Sequence, residues 1–186
     1  MKPDAHLSPE TPVDPPAGYR EDLDRVVPLS DGTAIRIRPI VPDDIERLRN
    51  AFAASDAETI RRRFLTGAPP TSDKRLRYLV EIDYSTRLAL LGLDLDGNSV
   101  GIARYEGSRG SRTAEVAIAV DLAWRRRRIA TVLLEALEGP ALESGFLRFE
   151  AIYAPDNRGA ADLFEGLGYT GRHLDEGLVY VVKALP

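Results

Sequence analysis

The stretch WRRRRIATVLLEAL, residues 124–137, sets four arginines directly before an aliphatic run. From there Ile129, Val132, Leu133, Ala136 and Leu137 recur at i, i+3, i+4, i+7 and i+8, the stripe of an amphipathic helix. A helix N-terminus carries partial positive charge, so Arg125–Arg128 oppose its dipole. Either the run is a solvated basic patch or an anion sits on it. Upstream, AEVAIAV (114–120) alternates as a strand does, and LRFEAIYA (147–154) reads as the next strand. A strand–helix–strand unit of this length predicts a parallel pair joined by a crossover helix. Such sheets take ligands at the carboxyl ends of the parallel strands, beside the helix N-terminus. That is the end where the arginines fall.

Composition narrows what the site can be. The chain has 186 residues, 44% hydrophobic and 29% charged, as expected of one globular domain. Its net charge of −4 argues against nucleic acid as a partner, and no aromatic residues interleave the basic run. There are no cysteines, which removes disulfides, thiolate metal sites and a cysteine nucleophile. His6 and His173 stand far apart, and no metal site is expected. No apolar run approaches the roughly 20 residues that span a bilayer. MKPDAHLSPETPVDPP lacks the apolar region of a signal peptide, so a cytoplasmic protein without membrane contact is expected.

Residues 1–22, rich in Pro, Asp and Glu, read as a flexible tail, and residues 23–186 as the single domain. Asp31-Gly32 marks a hairpin, with Ile35, Ile37 and Ile40 inward and Arg36 and Arg38 outward. Pro42 and Asp43 start a helix, DAETIRRRFL gives a second and Ser72 caps a third. Two strands follow, joined at Asp96-Gly97-Asn98. Gly139-Pro140 predicts a kink late in the helix that the arginines precede. After the 147–154 strand come a helix ending at Gly168 and a last hairpin through Asp175-Glu176-Gly177.

With these residues in view, IAVDLAWRRRRIATVLLEAL resembles the acyl-CoA-binding segment of the GNAT superfamily of N-acetyltransferases. That segment carries Arg or Gln, two residues, Gly, one residue, then Gly or Ala before a Leu-rich helix. Arg125 matches the first position and Ala130 the last, while Arg128 stands where the middle Gly is expected. APDNRGAADLFEGLGY resembles the second signature, matched by Asn157 and Leu167-Gly168-Tyr169. The resemblance covers about residues 26–185. More narrowly, DGTAIRIRPIVPDDIERLR, RRRFL and VEIDYSTRLALLGL are similar to the acetyltransferase domain of bacterial Pat-like protein-lysine acetyltransferases. The resemblance implies an α/β (α+β) fold: a mixed, mostly antiparallel sheet, its one parallel pair splayed at the acyl-CoA site, flanked by helices.

It also implies acetyl-CoA as acyl donor and an amine acceptor, either a small molecule or a protein lysine, with a monomeric or homodimeric enzyme. Physical chemistry supports an anion at the arginine run. Unpaired N–H groups at a helix start, here those of Ile129, Ala130 and Thr131, cradle a pyrophosphate. The guanidiniums of Arg125, Arg126, Arg127 and Arg128 are suited to phosphate oxygens. By the resemblance, the backbone of Ile118, Ala119 and Val120 bonds the pantetheine arm, with the Ile118 N–H near the thioester carbonyl. Glu115 either faces water or, as the resemblance implies, is the general base. Asn157 either bonds the coenzyme or caps the helix after it. Phe164 occupies the place where many relatives carry a Tyr as acid, and a thiolate leaving group hardly requires one. Arg61, Arg62, Arg63 and Phe64 either solvate a helix face or read an acidic substrate. The alternative to direct acyl transfer is a catalytically degenerate binding or regulatory domain, suggested by Arg128 and Phe164.

Overall fold

Local patterns in the sequence become eight strands and five α-helices among the residues the computed structural model describes, 15–55, 57–64 and 72–186 (without side chains at 59 and 62–64). A hairpin of β1 (Arg25–Pro28) and β2 (Ala34–Pro39) leads through a 3-10 turn, Pro42–Asp44, into α1 (Ile45–Ala54), α2 (Ala57–Phe64) and α3 (Asp73–Val80). Strands β3 (Arg87–Leu93), β4 (Ser99–Glu106) and β5 (Thr113–Val120) follow as a meander. Then come α4 (Ile129–Glu143), β6 (Arg148–Tyr153), α5 (Arg158–Gly166), β7 (Thr170–Asp175) and β8 (Leu178–Ala184). The sheet order is β1-β2-β3-β4-β5-β6-β8-β7. Its neighbours are antiparallel except β5 and β6, which run parallel with α4 as their crossover. This is the mixed, helix-flanked sheet expected from the sequence. Among the described residues no helix is long and apolar enough to cross a membrane.

At β3 both faces of the sheet are covered. All residues from Leu88 to Leu93 are buried, a continuous apolar run suited to a strand with no wet face. Leu88 and Leu90 join the larger core, which α4 fills with Ile129, Leu133, Leu134 and Leu137. Ala89, Leu91 and Leu93 join a second core closed by Leu48 of α1 and by Leu76 and Val80 of α3. Helix α4 runs through Pro140 without ending and buries it. Ser72 stands at the start of α3, but its hydroxyl makes no capping bond. Of the expected tail, residues 1–14 lie outside the described residues, and residues 15–22 lie against the domain. The Tyr19 ring meets Tyr84 edge-on at 5.7 Å, and Arg20 reaches Glu143 at 2.8 Å.

The second core corrects one expectation. Arg36 and Arg38 were expected to face outward. Arg36 is half-buried against Asp24, and Arg38 is only 4% exposed. Period-2 alternation places Arg38 opposite Ile37, but α1, α3 and the 3-10 turn cover that face. Asp44 supplies the missing countercharge, accepting from both Arg38 Nη atoms at 2.7 and 2.8 Å and from the Val41 N–H at 2.9 Å. Removing one member of such a pair leaves a buried charge uncompensated. Asp44→Asn is expected to lower unfolding stability by about 3–5 kcal/mol, and Arg38→Met with Asp44→Leu to lose much less. Chemical denaturation of the single and double variants measures both.

Candidate functional site

The site begins where β5 and β6 stop pairing. Their register runs from Thr113 opposite Arg148 to Val116 opposite Ala151 and ends there. β5 continues against β4 up to Val120 opposite Gly101, and β6 continues against β8 up to Tyr153 opposite Val179. From Ala117 and Ile152 onward, each strand therefore turns one backbone edge toward a gap in the sheet. The starts of α4 and α5 lie at this same end.

The arginine loop joins β5 to α4. Asp121 accepts the Ala123 N–H at 2.9 Å and caps a 3-10 turn, Leu122–Trp124. Arg126 and Arg128 then take left-handed backbone conformations, with φ of +60° and +64°. For residues with a Cβ that conformation costs roughly 1–2 kcal/mol each. Arg128 is the N-cap of α4 and makes no side-chain capping bond. The first α4 bond runs from the Val132 N–H to the Arg128 carbonyl at 3.0 Å. The N–H groups of Ile129, Ala130 and Thr131 precede it, so none has a partner within the helix. Successive N–H groups in a loop that visits the left-handed region form an anion-binding concavity.

The four arginine side chains differ. Arg125, Arg126 and Arg128 are exposed, and Arg125 Nε lies 3.4 Å from the Val120 carbonyl. Arg127 is tied back to the β1–β2 hairpin through Asp31 at 3.4 Å, with its guanidinium 4.8 Å over the Trp124 ring. Arg128 therefore keeps a glycine-like backbone and sends its side chain into solvent.

On β5, Glu115 is exposed between buried Ala114 and Val116. Register sets it opposite Glu106 on β4 and Glu150 on β6, so three carboxylates form a row across the sheet. Like charges directly opposed repel. Glu106 is partly compensated by the Tyr78 hydroxyl, which donates to it, and by Arg87 at 3.7 Å. Burial pushes the Tyr180 hydroxyl pKa up, and Asp175, Glu176, Glu150 and Glu115 push it further. Farther along β5 on the Glu115 face come only Ala117 and Ala119. On the opposite face Ile118 and Val120 pack toward the larger core.

At the far side of the gap, Asn157 Oδ1 accepts the Ala160 N–H at 3.2 Å and caps α5. Phe164 is buried between Tyr153, stacked at 5.9 Å, and Tyr169, edge-on at 4.9 Å. Burial, then Glu138, holds the Tyr169 hydroxyl well above its usual pKa. Arg61 on α2 bonds Glu58 at 2.8 and 2.9 Å and Asp156 at 2.8 Å, tying α2 to the loop before α5. The side chains of Arg62, Arg63 and Phe64 lie outside the described residues. His173 stacks on Tyr180 at 5.1 Å. Sequence reasoning missed the carboxylate row and a cavity of about 640 Å³ between α1 and the ends of β4 and β5. Strand register was the signal for the row; nothing local in the sequence marks the cavity.

The profile of the acetyltransferase (GNAT) family matches residues 55–169, which hold β5, the arginine loop, α4, β6 and α5. The chain belongs to that family. An acetyltransferase of Pseudomonas aeruginosa is 28% identical over 160 residues, 84% of this chain and 86% of the relative. The acetyltransferase Pat of Mycolicibacterium smegmatis is 31% identical over 163 residues, 86% of this chain but 48% of that protein. The chain thus spans about half the length of that relative. The GNAT domain of S. lividans PAT superposes with a TM-score of 0.84 at 29% identity, covering 90% of this chain and 99% of that one. Pat-like GNAT domains are thus similar to this chain in sequence and in fold.

Two stability changes follow from the loop and the cap. Arg128→Gly relieves a left-handed arginine, about 1–2 kcal/mol, against an added unfolded-chain entropy of about 0.4–1 kcal/mol. A net gain of about 0.5–1 kcal/mol in denaturant unfolding is expected; a loss means the Arg128 side chain itself holds the loop. Asn157→Ala is expected to lose about 1 kcal/mol with the cap, read by the same unfolding curves.

Proposed function

We propose that this GNAT protein is an acyl-CoA-dependent N-acyltransferase, moving an acetyl or short acyl group directly onto an amine. The observation that carries this reading is charge placed along one strand. The N–H groups of Ile129, Ala130 and Thr131 and the exposed guanidiniums of Arg125, Arg126 and Arg128 gather beyond the β5 end. They suit the pyrophosphate of acetyl-CoA. Arg127 contributes there through its backbone, since Asp31 holds its side chain. In this reading the pantetheine arm pairs with the released edge of Ile118, Ala119 and Val120. The Ile118 N–H stabilises the oxyanion that forms on the thioester carbonyl. Asn157 keeps its cap and offers its amide N–H groups to the coenzyme.

The acceptor approaches the face that carries Glu106, Glu115 and Glu150, where carboxylates favour a cationic amine. A free lysine amine has a pKa near 10.4, so it must lose a proton to attack. Glu115 takes that proton. Three residues of extended strand separate Glu115 from Ile118, about 10 Å, so the transfer runs through a water. The amine nitrogen then bonds the carbonyl carbon and releases its second proton to water, the C–S bond breaks, and coenzyme A leaves as its thiolate. Phe164 lacks a hydroxyl, and a thiolate with a solution pKa near 8.5 leaves without a proton donor. The acceptor is a small-molecule amine or a protein lysine. Against the degenerate alternative stands the Arg128 backbone, which holds the glycine-like conformation with its side chain turned outward.

Glu115→Gln tests the assignment. Turnover with a lysine peptide is expected to fall by about 10²-fold or more while acetyl-CoA affinity by calorimetry stays the same. Unchanged turnover removes Glu115 from the mechanism; lost affinity places it in coenzyme binding instead.

A further inference from the structure

On the reading of Glu115 as the base, we propose that the open face of β6, β8 and β7 docks the acceptor as a segment of polypeptide. The Tyr180 ring on that face selects segments that carry a second cationic side chain beside the acceptor lysine. The sheet is covered unevenly. On the face that carries Glu115, α1 and α3 close a core over β3. Beyond the gap the same face is open. On β6 and β8 the inward residues Phe149, Ala151, Tyr153, Val179 and Val181 are buried, whereas Glu150, Ile152, Tyr180 and Val182 are only half-buried. Every residue of β7 is exposed.

Register ties this open face to the site. Ile152 is the first β6 residue past the pairing with β5, and it shares a face with Glu150, which stands opposite Glu115. Tyr180 lies opposite Ile152, and His173 lies opposite Tyr180. The row Ile152–Tyr180–His173 therefore runs from the gap to the edge of the sheet, two strand spacings or about 10 Å. His173 stacks on Tyr180 with ring centroids 5.1 Å apart and planes at 19°. It does so from the β7 side, so the other face of the Tyr180 ring is on the side of β6 and the gap.

Chemistry names the occupant. Glu150 and Asp175 share the face of Tyr180, and Glu176 follows in the β7–β8 turn. Their charges, with that of Glu115, all reach the Tyr180 hydroxyl. Arg148, a cation on the same face of β6, stands four residues before Ile152, about 13 Å away along the strand. A ring face among carboxylates attracts a guanidinium or an ammonium. Small-ligand sites are concave, and an open face buries little of a lone amine. An extended segment spans it and turns residues two apart toward the sheet. One of these is the acceptor lysine at the gap, and the next rests its cation on Tyr180.

The test is calorimetric titration of the full chain, in the presence of CoA, with two peptides that each hold one lysine. One carries Arg two residues to either side of the lysine, and the other carries Gln at those positions. The Arg peptide is expected to bind about three- to ten-fold more tightly. Tyr180→Leu is expected to remove that preference, and Tyr180→Phe, which keeps the ring, to retain it. Asp175→Asn with Glu176→Gln, both exposed at the turn, is expected to reduce it without altering a strand core. Equal affinity for the two peptides, or a preference that survives Tyr180→Leu, overturns the docking surface and leaves the Glu115 reading standing. A preference that depends on Tyr180 but leads to no acyl transfer from acetyl-CoA to either peptide overturns the acceptor assignment together with the transferase reading.

Discussion

Strand β5 keeps β4 as a partner to Val120 but loses β6 after Val116, and the site is built on that asymmetry. A strand edge released inside a sheet is a row of backbone groups that need partners, and an extended ligand arm can supply them. Packing holds the edge open. The crossover helix has to leave the end of β5, cross the faces of β5, β4 and β3, and return to β6. Ile129, Leu133 and Leu137 bury into that face. Gly101 lets the first turn settle, since a Cβ there would lie 3.1 Å from the Ala119 carbonyl and 3.4 Å from the Ile129 and Leu133 side chains. The N-terminus of α4 is thereby fixed beside the carboxyl end of β5, with its unpaired N–H groups at the mouth of the gap.

The same strand separates opposite charges. Glu115 lies in the row with Glu106 and Glu150, and the arginine run begins five residues beyond Val120 and its edge. Five residues of strand, Glu115 to Val120, span about 17 Å. The net charge of −4 conceals this polarity. Both poles cost stability: opposed carboxylates repel, and two arginines hold left-handed backbones. Such costs gather at functional sites, where stability is exchanged for a prepared geometry. The proposed transfer from an anionic coenzyme to a cationic amine would use both poles together.

Much of this was legible because it is local. The stripe of α4, the alternation of β5 and the glycine and proline punctuation each depend on neighbours a few residues away. Arg38 was misread because alternation reports two faces but not what covers them; α1 and α3 turn the second face into a core, and Asp44 makes that tolerable. The carboxylate row depends on strand register: Glu106 and Glu115 meet across the β4–β5 hairpin, and Glu150 joins them across the crossover. The separate course of Arg127 depends on Asp31, almost a hundred residues earlier, and the cavity depends on where α1 comes to rest. In the loop, the resemblance set Arg128 where the family's pattern has a glycine. It did not show that the backbone would keep a glycine's conformation.

That persistence has a physical cause. A left-handed arginine survives only where its surroundings over-determine it, and here three contacts do so. Trp124 packs against the larger core on one side of the loop. Arg127 is pinned by the Trp124 ring and Asp31 in the middle. On the other side, the Arg128 carbonyl accepts the first bond of α4. With both ends fixed, the chain between them has little freedom to relax, so the Cβ cost at Arg126 and Arg128 is carried by the whole loop. The guanidiniums add a second cost, repelling one another and the helix dipole. A multiply charged anion removes that repulsion and satisfies the N–H groups in the same event. A neutral ligand does neither, so in the proposed function this loop would discriminate by charge where a glycine loop discriminates mainly by close approach.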